Sequence, residues 1–425
     1  MKNRVFNFPQ MTAFVIAAMI GTGVFTSLGM QVQSIPSVPA VLLLWVIGGV
    51  ASLAGALAYA ELGAAHPRSG GEYHLLSTIY TPTLGFIAGL ATLVAGLAAP
   101  MALSAVAFAK YAQNLVPLPE WIFSVGVIVL TTLMHSLHIR TGARLHSAVT
   151  YFNIALILLL IVAAFLSPKA APNLAFTAQD WSFVFSPEYA VAFVFVSYAY
   201  LGWNTSVYVI DEIHDVQKTL PRSVITCVAV VTLWYVVLNY AFLKVAPIDT
   251  IAGKVDVGYI AAQGIFGAQG AMLMSALIAL VLLASVSSYS VLGPRVWHVM
   301  GEDYPIFRTI AVKNANDIPV RAFWLQCTIA TTIVLTSSFE AILIYTGFLL
   351  NVFNMLAVVG VIILRRKYPD LPRPYKVWGY PVTPLIFAGI SFWMAASVVM
   401  ERPKESLAVL ATFALGFVLN IRKSK

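Results

Sequence analysis

Charge is what this sequence has least of. Only 10% of its 425 residues are Asp, Glu, Lys or Arg, against roughly 25% in an ordinary soluble domain. A surface so poor in charge cannot all face water, which excludes the soluble classes and makes a lipid bilayer the expected solvent. Cysteine is nearly as scarce. Cys227 and Cys327 are the only two, so a disulfide scaffold is excluded, and the low polarity excludes a disordered chain. Also missing are a His-Glu-x-x-His pair and a Gly-Lys-Ser/Thr phosphate loop. No nucleophile–base or metal constellation stands out, so an enzyme is not expected, nor any metal or cofactor. His135 and His138 form a His-x-x-His pair near His146, but no cysteine or carboxylate completes a ligand set.

What is present is hydrophobicity, 60% of the chain. A span across about 30 Å of hydrocarbon needs about 20 apolar residues. Runs of that kind lie near 9–33, 38–62, 84–112, 121–139, 146–166, 187–211, 223–245, 268–299, 320–337, 340–364, 381–400 and 405–421. Twelve transmembrane helices are therefore expected, in an all-α integral membrane fold. The weakest division is Thr336 to Glu340, all that separates two spans. A signal peptide is not expected, because the first apolar run is long and lacks a small-residue cleavage site.

The net charge of +8 could mean nucleic acid, but the cations are scattered over seven loops and ends. With the N-terminus inside, 19 of the 25 fall on the cytoplasmic side, among them Lys2, Arg4, Arg68, Arg140, Arg144, Arg222, Arg365, Arg373, Arg422, Lys423 and Lys425. Lys110, Lys169, Lys244, Lys254, Arg402 and Lys404 fall outside. The positive-inside bias thus predicts a multi-pass protein of the cytoplasmic membrane with both termini cytoplasmic.

Two spans carry a break. Gly21-Thr22-Gly23 sits halfway along the first, and glycines cost a helix about 1 kcal/mol each relative to alanine. Close helix packing through small residues is the alternative account. The sixth span reads Ser197-Tyr198-Ala199-Tyr200-Leu201-Gly202-Trp203-Asn204, again with glycine and polar residues at mid-depth. Interrupted helices at matching places in two halves point to an inverted-repeat transporter site. A broken helix frees N–H groups that suit a carboxylate and carbonyls that suit an ammonium. A zwitterionic amino acid presents both. No Asp, Glu, Lys or Arg lies near the centre of a clear span, which argues against a cationic or polyamine substrate.

These residues resemble a family. Gly21-Thr22-Gly23-Val24-Phe25, Tyr59-Ala60-Glu61-Leu62, Pro67-Arg68-Ser69-Gly70-Gly71-Glu72-Tyr73, Gly202-Trp203-Asn204, Asp211-Glu212-Ile213 and Arg373-Pro374-Tyr375-Lys376 occur in order. Over nearly its whole length the chain resembles amino acid permeases of the amino acid–polyamine–organocation superfamily, related to the L-type amino acid transporters. The resemblance implies a 5+5 inverted-repeat core over 1–364, with helices 1–5 at about 9–166 and helices 6–10 at about 187–364. Discontinuous helices 1 and 6 would bind substrate, and 365–425 would add two peripheral helices. It implies a secondary active transporter of neutral L-amino acids working by alternating access. A carrier of cationic amino acids or polyamines, or a non-transporting sensor or channel, is the alternative.

Carried over by position, the backbone of Thr22, Gly23 and Val24, beside Gly21, would hold the carboxylate. The carbonyls of Ala18, Met19 and Ile20, with those of Ser197, Tyr198 and Leu201, would hold the amine. Tyr198, Tyr200 and Trp203 beside Gly202 would wall or gate the pocket, unless they simply pack in the core. A bulky residue at Gly23 is expected to abolish uptake with folding intact. Many relatives carry a lysine in the fifth span where this chain has Asn153, an amide without charge. Ser285 and Ser288 could help form a cation site, or could bond their own i−4 carbonyls. The expected partners are an amino acid substrate, membrane lipid, and a proton, a sodium ion or a counter-transported amino acid. The segments 171–186 and 247–267 form the longer external loops, the second able to lid the mouth.

Overall fold

The computed structural model describes residues 6–66, 71–137 and 142–421, without the side chains of 142–149, Asp211 and Ile421. Lys2, Arg4, Arg68, Arg140, Arg422, Lys423, Lys425, His138 and the Pro67–Gly70 stretch lie outside the described residues, as do the side chains of Arg144 and His146.

The regular structure among the described residues is all helical, apart from one isolated bridge between Phe6 and Ile213. The first apolar segment splits into α1 (Phe8–Met19), α2 (Gly23–Thr26) and α3 (Leu28–Ser34). Asn7 and Gln10 start α1 with a reciprocal capping box. The second is one helix, α4 (Val38–Ala65), followed by a short buried helix, α5 (Gly71–Ile79), where the sequence suggests only a connector. The third comprises α6 (Pro82–Ala91), a π-helical stretch at Thr92–Ala98, and α7 (Ala99–Gln113). Pro100 explains the π stretch: it lacks an N–H and its ring crowds the preceding turn, so the backbone widens ahead of it. Next come α8 (Glu120–Leu137), α9 (Gly142–Leu166), α10 (Ala178–Val184) and α11 (Pro187–Tyr200). A 3₁₀ stretch at Trp203–Tyr208 follows α11, then α12 (Val216–Val245) and α13 (Ile248–Ile251). The chain closes with α14 (Val257–Asp303), α15 (Val320–Thr336), α16 (Phe339–Lys367), α17 (Val382–Glu401) and α18 (Pro403–Ile421).

Helix starts follow from local chemistry. Ser37 with Pro39, Thr81 with Pro82 and Ser186 with Pro187 each pair a hydroxyl cap with a proline in the first turn. Ser338 caps α16, so the narrow 336–340 division is a real helix boundary. Within α14, Gly267 (φ +71°) breaks the helix, so residues 257–266 form a separate piece from the helix that follows.

Among the described residues, eight helices are long and apolar enough to cross a membrane, nine if α10 and α11, bent by 67°, count as one span. Among the described residues the twelve apolar runs fall largely on helix, though α9 and α15 offer shorter apolar stretches and α18 is not among the helices long and apolar enough to cross. The molecule is a multi-pass integral membrane protein. Its buried centre is built by α4, α7, α11, α12 and α16, wrapped round the broken first segment.

Candidate functional site

The first break is narrow. The helical ladder of α1 ends at Ile20, whose N–H still reaches the Ile16 carbonyl at 2.9 Å. The ladder resumes only at Phe25, which donates to the Thr22 carbonyl at 3.2 Å. Between them, the backbone N–H groups of Gly21, Thr22, Gly23 and Val24 make no hydrogen bond among the described residues. Four donors in one stretch of buried backbone leave a strong demand for an acceptor. The space beside Gly21 is open: a Cβ there would meet no atom within 4 Å.

The second break sits against the first. After α11, Leu201 turns out of the helix and Gly202 takes φ +126°, a conformation that strains any residue with a Cβ. A Cβ at Gly202 would lie 2.6 Å from the Ala18 carbonyl group and from the Met19 nitrogen. The two interruptions therefore touch backbone to backbone, as the pairing of broken helices requires.

Of the expected amine acceptors, three are already engaged. The Met19 carbonyl accepts from the Tyr235 hydroxyl at 2.7 Å, and the Ile20 carbonyl from Asn153 Nδ2 at 3.4 Å. Asn153 thus reaches the first break from α9, while its buried Oδ1 has no hydrogen-bond partner among the described residues. The Tyr198 carbonyl accepts from Leu201 N–H at 3.1 Å. The Thr22 side chain lies beside the Tyr198 phenol, with Tyr289 of α14 close by. Ser197 turns its hydroxyl back to the Val194 carbonyl at 3.0 Å.

Three of the expected residues sit differently from that reading. Tyr200 does not wall the site. It is wholly buried, donates to the Trp45 carbonyl at 3.0 Å, and packs between Trp45 and Tyr235 on α4 and α12. Residues 198 and 200 stand about 200° apart round a helix, so both cannot face one cavity. Trp203 likewise turns towards α4 and α17, edge-on to Tyr59 at 4.9 Å and to Phe387 at 6.2 Å. It lines a small cavity of about 20 Å³, room for about one water, with Ser52, Ser197, Asn351, Asn354 and Ser391. Gly23 faces Ala199, whose Cα would stand 2.8 Å from an added Cβ. A side chain there disturbs helix packing, so it is not a clean test of binding. Gly21 is.

Ser285 and Ser288 donate to their own helix, to the Val281 carbonyl at 3.1 Å and the Ala284 carbonyl at 2.9 Å. Ser287 instead meets His135 Nε2 at 2.7 Å.

Two acidic residues gain weight. Glu61, at the end of α4, is held by Arg365 through two bonds of 2.8 and 2.6 Å and by Val377 N–H at 2.7 Å. Glu72 is buried in α5 and accepts from Asn204 Nδ2 at 2.7 Å, Tyr59 at 3.1 Å and Tyr208. Sequence reasoning misses it because α5 falls between two spans. The signal was there: Leu75, Leu76 and Ile79 recur at helical spacing after it.

At the opposite end, the segment 248–266 closes over the broken helix as a lid. Gly253 N–H donates to the Gly29 carbonyl at 2.8 Å. Tyr111 bridges the Phe25 carbonyl at 3.1 Å and Gly258 N–H at 3.0 Å.

A polytopic helical protein whose two interrupted spans meet at unpaired backbone has the architecture of a membrane carrier. Residues 6–419 match the amino acid permease family, and the chain belongs to it. It is 28% identical over 394 residues to the mouse large neutral amino acids transporter small subunit 2, covering 88% of this chain and 72% of that protein. It is 26% identical over 422 residues to the human cystine/glutamate transporter, covering 96% and 81%. The mouse Asc-type amino acid transporter 1 is 26% identical over 390 residues, covering 88% and 73%.

Proposed function

We propose that this permease is a secondary active transporter of neutral L-amino acids, working by alternating access between the two breaks. The observation that carries the reading is the run of four unpaired N–H groups at Gly21–Val24 beside open space. Those donors suit the substrate carboxylate, and the carbonyls around Ala18 and Ile20, with Ser197 and Leu201, suit its ammonium. The contacts at the break come from Tyr235, Asn153, Thr22 and Tyr198, none of them ionised at neutral pH. A distal cation of arginine or a polyamine would find no carboxylate partner among them.

Twelve spans with both termini cytoplasmic, a 5+5 repeat over 1–364 and two peripheral helices over 365–425 complete the proposal. The relatives named above carry amino acids by name, which supports an amino acid as the substrate.

Reconstituted protein is expected to accumulate labelled neutral L-amino acid against a cold preload of the same compound. D-isomers, arginine and polyamines should compete poorly. Tight stereospecific uptake of arginine would overturn the substrate class. Equilibration without counterflow would point to a channel.

A further inference from the structure

We infer that Glu72 is a positioning residue for the second break, acting through Asn204. The chain of contacts is continuous. Glu72 Oε1 accepts from Asn204 Nδ2 at 2.7 Å, and Asn204 Oδ1 accepts from the Gly202 N–H at 3.3 Å. Gly202 in turn lies against the Ala18–Met19 backbone. One amide side chain therefore has its donor end fixed by a buried carboxylate and its acceptor end on the peptide that shapes the break.

The carboxylate is itself over-determined. Tyr208 of the 3₁₀ stretch also donates to it, and Tyr59 of α4 shares its single phenol proton between Glu72, at 3.1 Å, and the Asn354 Oδ1 of α16, at 2.7 Å. Gly71 permits this approach, since a Cβ there would fall 2.2 Å from the Tyr208 ring. Among the described residues no cation pairs with Glu72. A buried acid held by neutral donors has a direction: Glu72 must accept, so Asn204 must present its amine to it and its oxygen to Gly202. That fixed orientation holds Gly202 at φ +126°. Neither Glu72 nor Asn204 needs to touch substrate.

The inference rests on the transport reading above, and exchanging donor and acceptor tests it separately. Glu72→Leu leaves the Asn204 amine without an acceptor. Asn204→Asp sets two carboxylates in contact. Each should raise the KM for uptake by about tenfold or more, the range expected for losing a charge-assisted hydrogen bond. Adding Glu72→Gln to Asn204→Asp restores one donor and one acceptor with the roles reversed, and should bring KM back to within about threefold of the parent. A merely structural role would lower the yield of folded protein and leave KM alone. Hydrogen exchange of residues 198–205, read without substrate, should quicken in Asn204→Asp and slow again in the double variant. The proposal is overturned if folded Glu72→Leu keeps the parental KM, or if the double variant is no better than Asn204→Asp in exchange and uptake. If Glu72→Leu does not fold, the Asn204→Asp pair decides alone. Parent protein that carries no amino acid, with exchange still following the swap, would sink the transport reading and leave the Glu72 assignment standing.

Discussion

Gly21 and Gly23 are two residues apart and answer to different constraints. A Cβ at Gly21 enters open space, so Gly21→Val should leave the melting temperature within a degree or two and lower uptake at least tenfold. A Cβ at Gly23 collides with Ala199, so Gly23→Val should cost roughly 1–3 kcal/mol of stability through overpacking, seen as reduced yield and melting temperature. Comparable melting of the two variants would refute this division. His66, just past α4, makes a pH prediction. Burial, and then the nearby Arg373 guanidinium, hold its imidazole below the ordinary 6.5. The unfolded chain therefore binds the proton more readily, and the stabilising share is present above pH 6.5 and lost as pH falls through it. The drop in melting temperature from pH 8 to pH 5.5 should be smaller in His66→Gln than in the parent.

The elements show what can be read from sequence and what cannot. The apolar runs locate the helices, and Gly21-Thr22-Gly23 and Gly202 locate both interruptions, because hydrophobic length and glycine cost are local quantities. Asn153 was legible as a fifth-span position, and the structure brings it to the Ile20 carbonyl. The inward turn of Tyr200 and Trp203 was not, since it depends on which neighbours α4 and α17 offer. Glu72 was hidden for the opposite reason: a short helix between spans reads as a connector until tertiary contacts bury it. Glu61 belongs to the same scale. Its bidentate tie to Arg365 and its bond to Val377 fasten the ends of α4 and α16 to the 368–381 loop. Arg365→Met leaves the buried Glu61 to Arg373, whose Nε stands 3.7 Å away, and to the Val377 N–H, so it should destabilise by roughly 1.5–3 kcal/mol, the worth of a hydrogen bond to a charged group. An unchanged melting temperature would show the tie to be dispensable.

At the scale of the whole molecule, both approaches to the breaks are tied in one conformation. Tyr111 and Gly253 fasten the lid to the broken first segment, while Glu72 and the Phe6 backbone, bonded to Glu212 and His214, fasten the far end. Tyr111→Phe removes the donor to Phe25 and the acceptor for Gly258 and should loosen the lid end alone. Since Cys227 and Cys327 are both buried, a cysteine placed at Thr22 can be labelled against a quiet background. It should react faster with an impermeant thiol reagent from the lid side in the Tyr111→Phe protein, and no change in rate would refute a gating role. The crossing of Gly202 over Ala18 has a mechanical consequence as well. Where bare backbone meets bare backbone no side chains interlock, so the proposed alternating access would have a point about which the two broken segments swivel, as on a bearing. Any side chain introduced at Gly202 would act as grit in it, and on that proposal should arrest uptake even where the substrate still finds its seat.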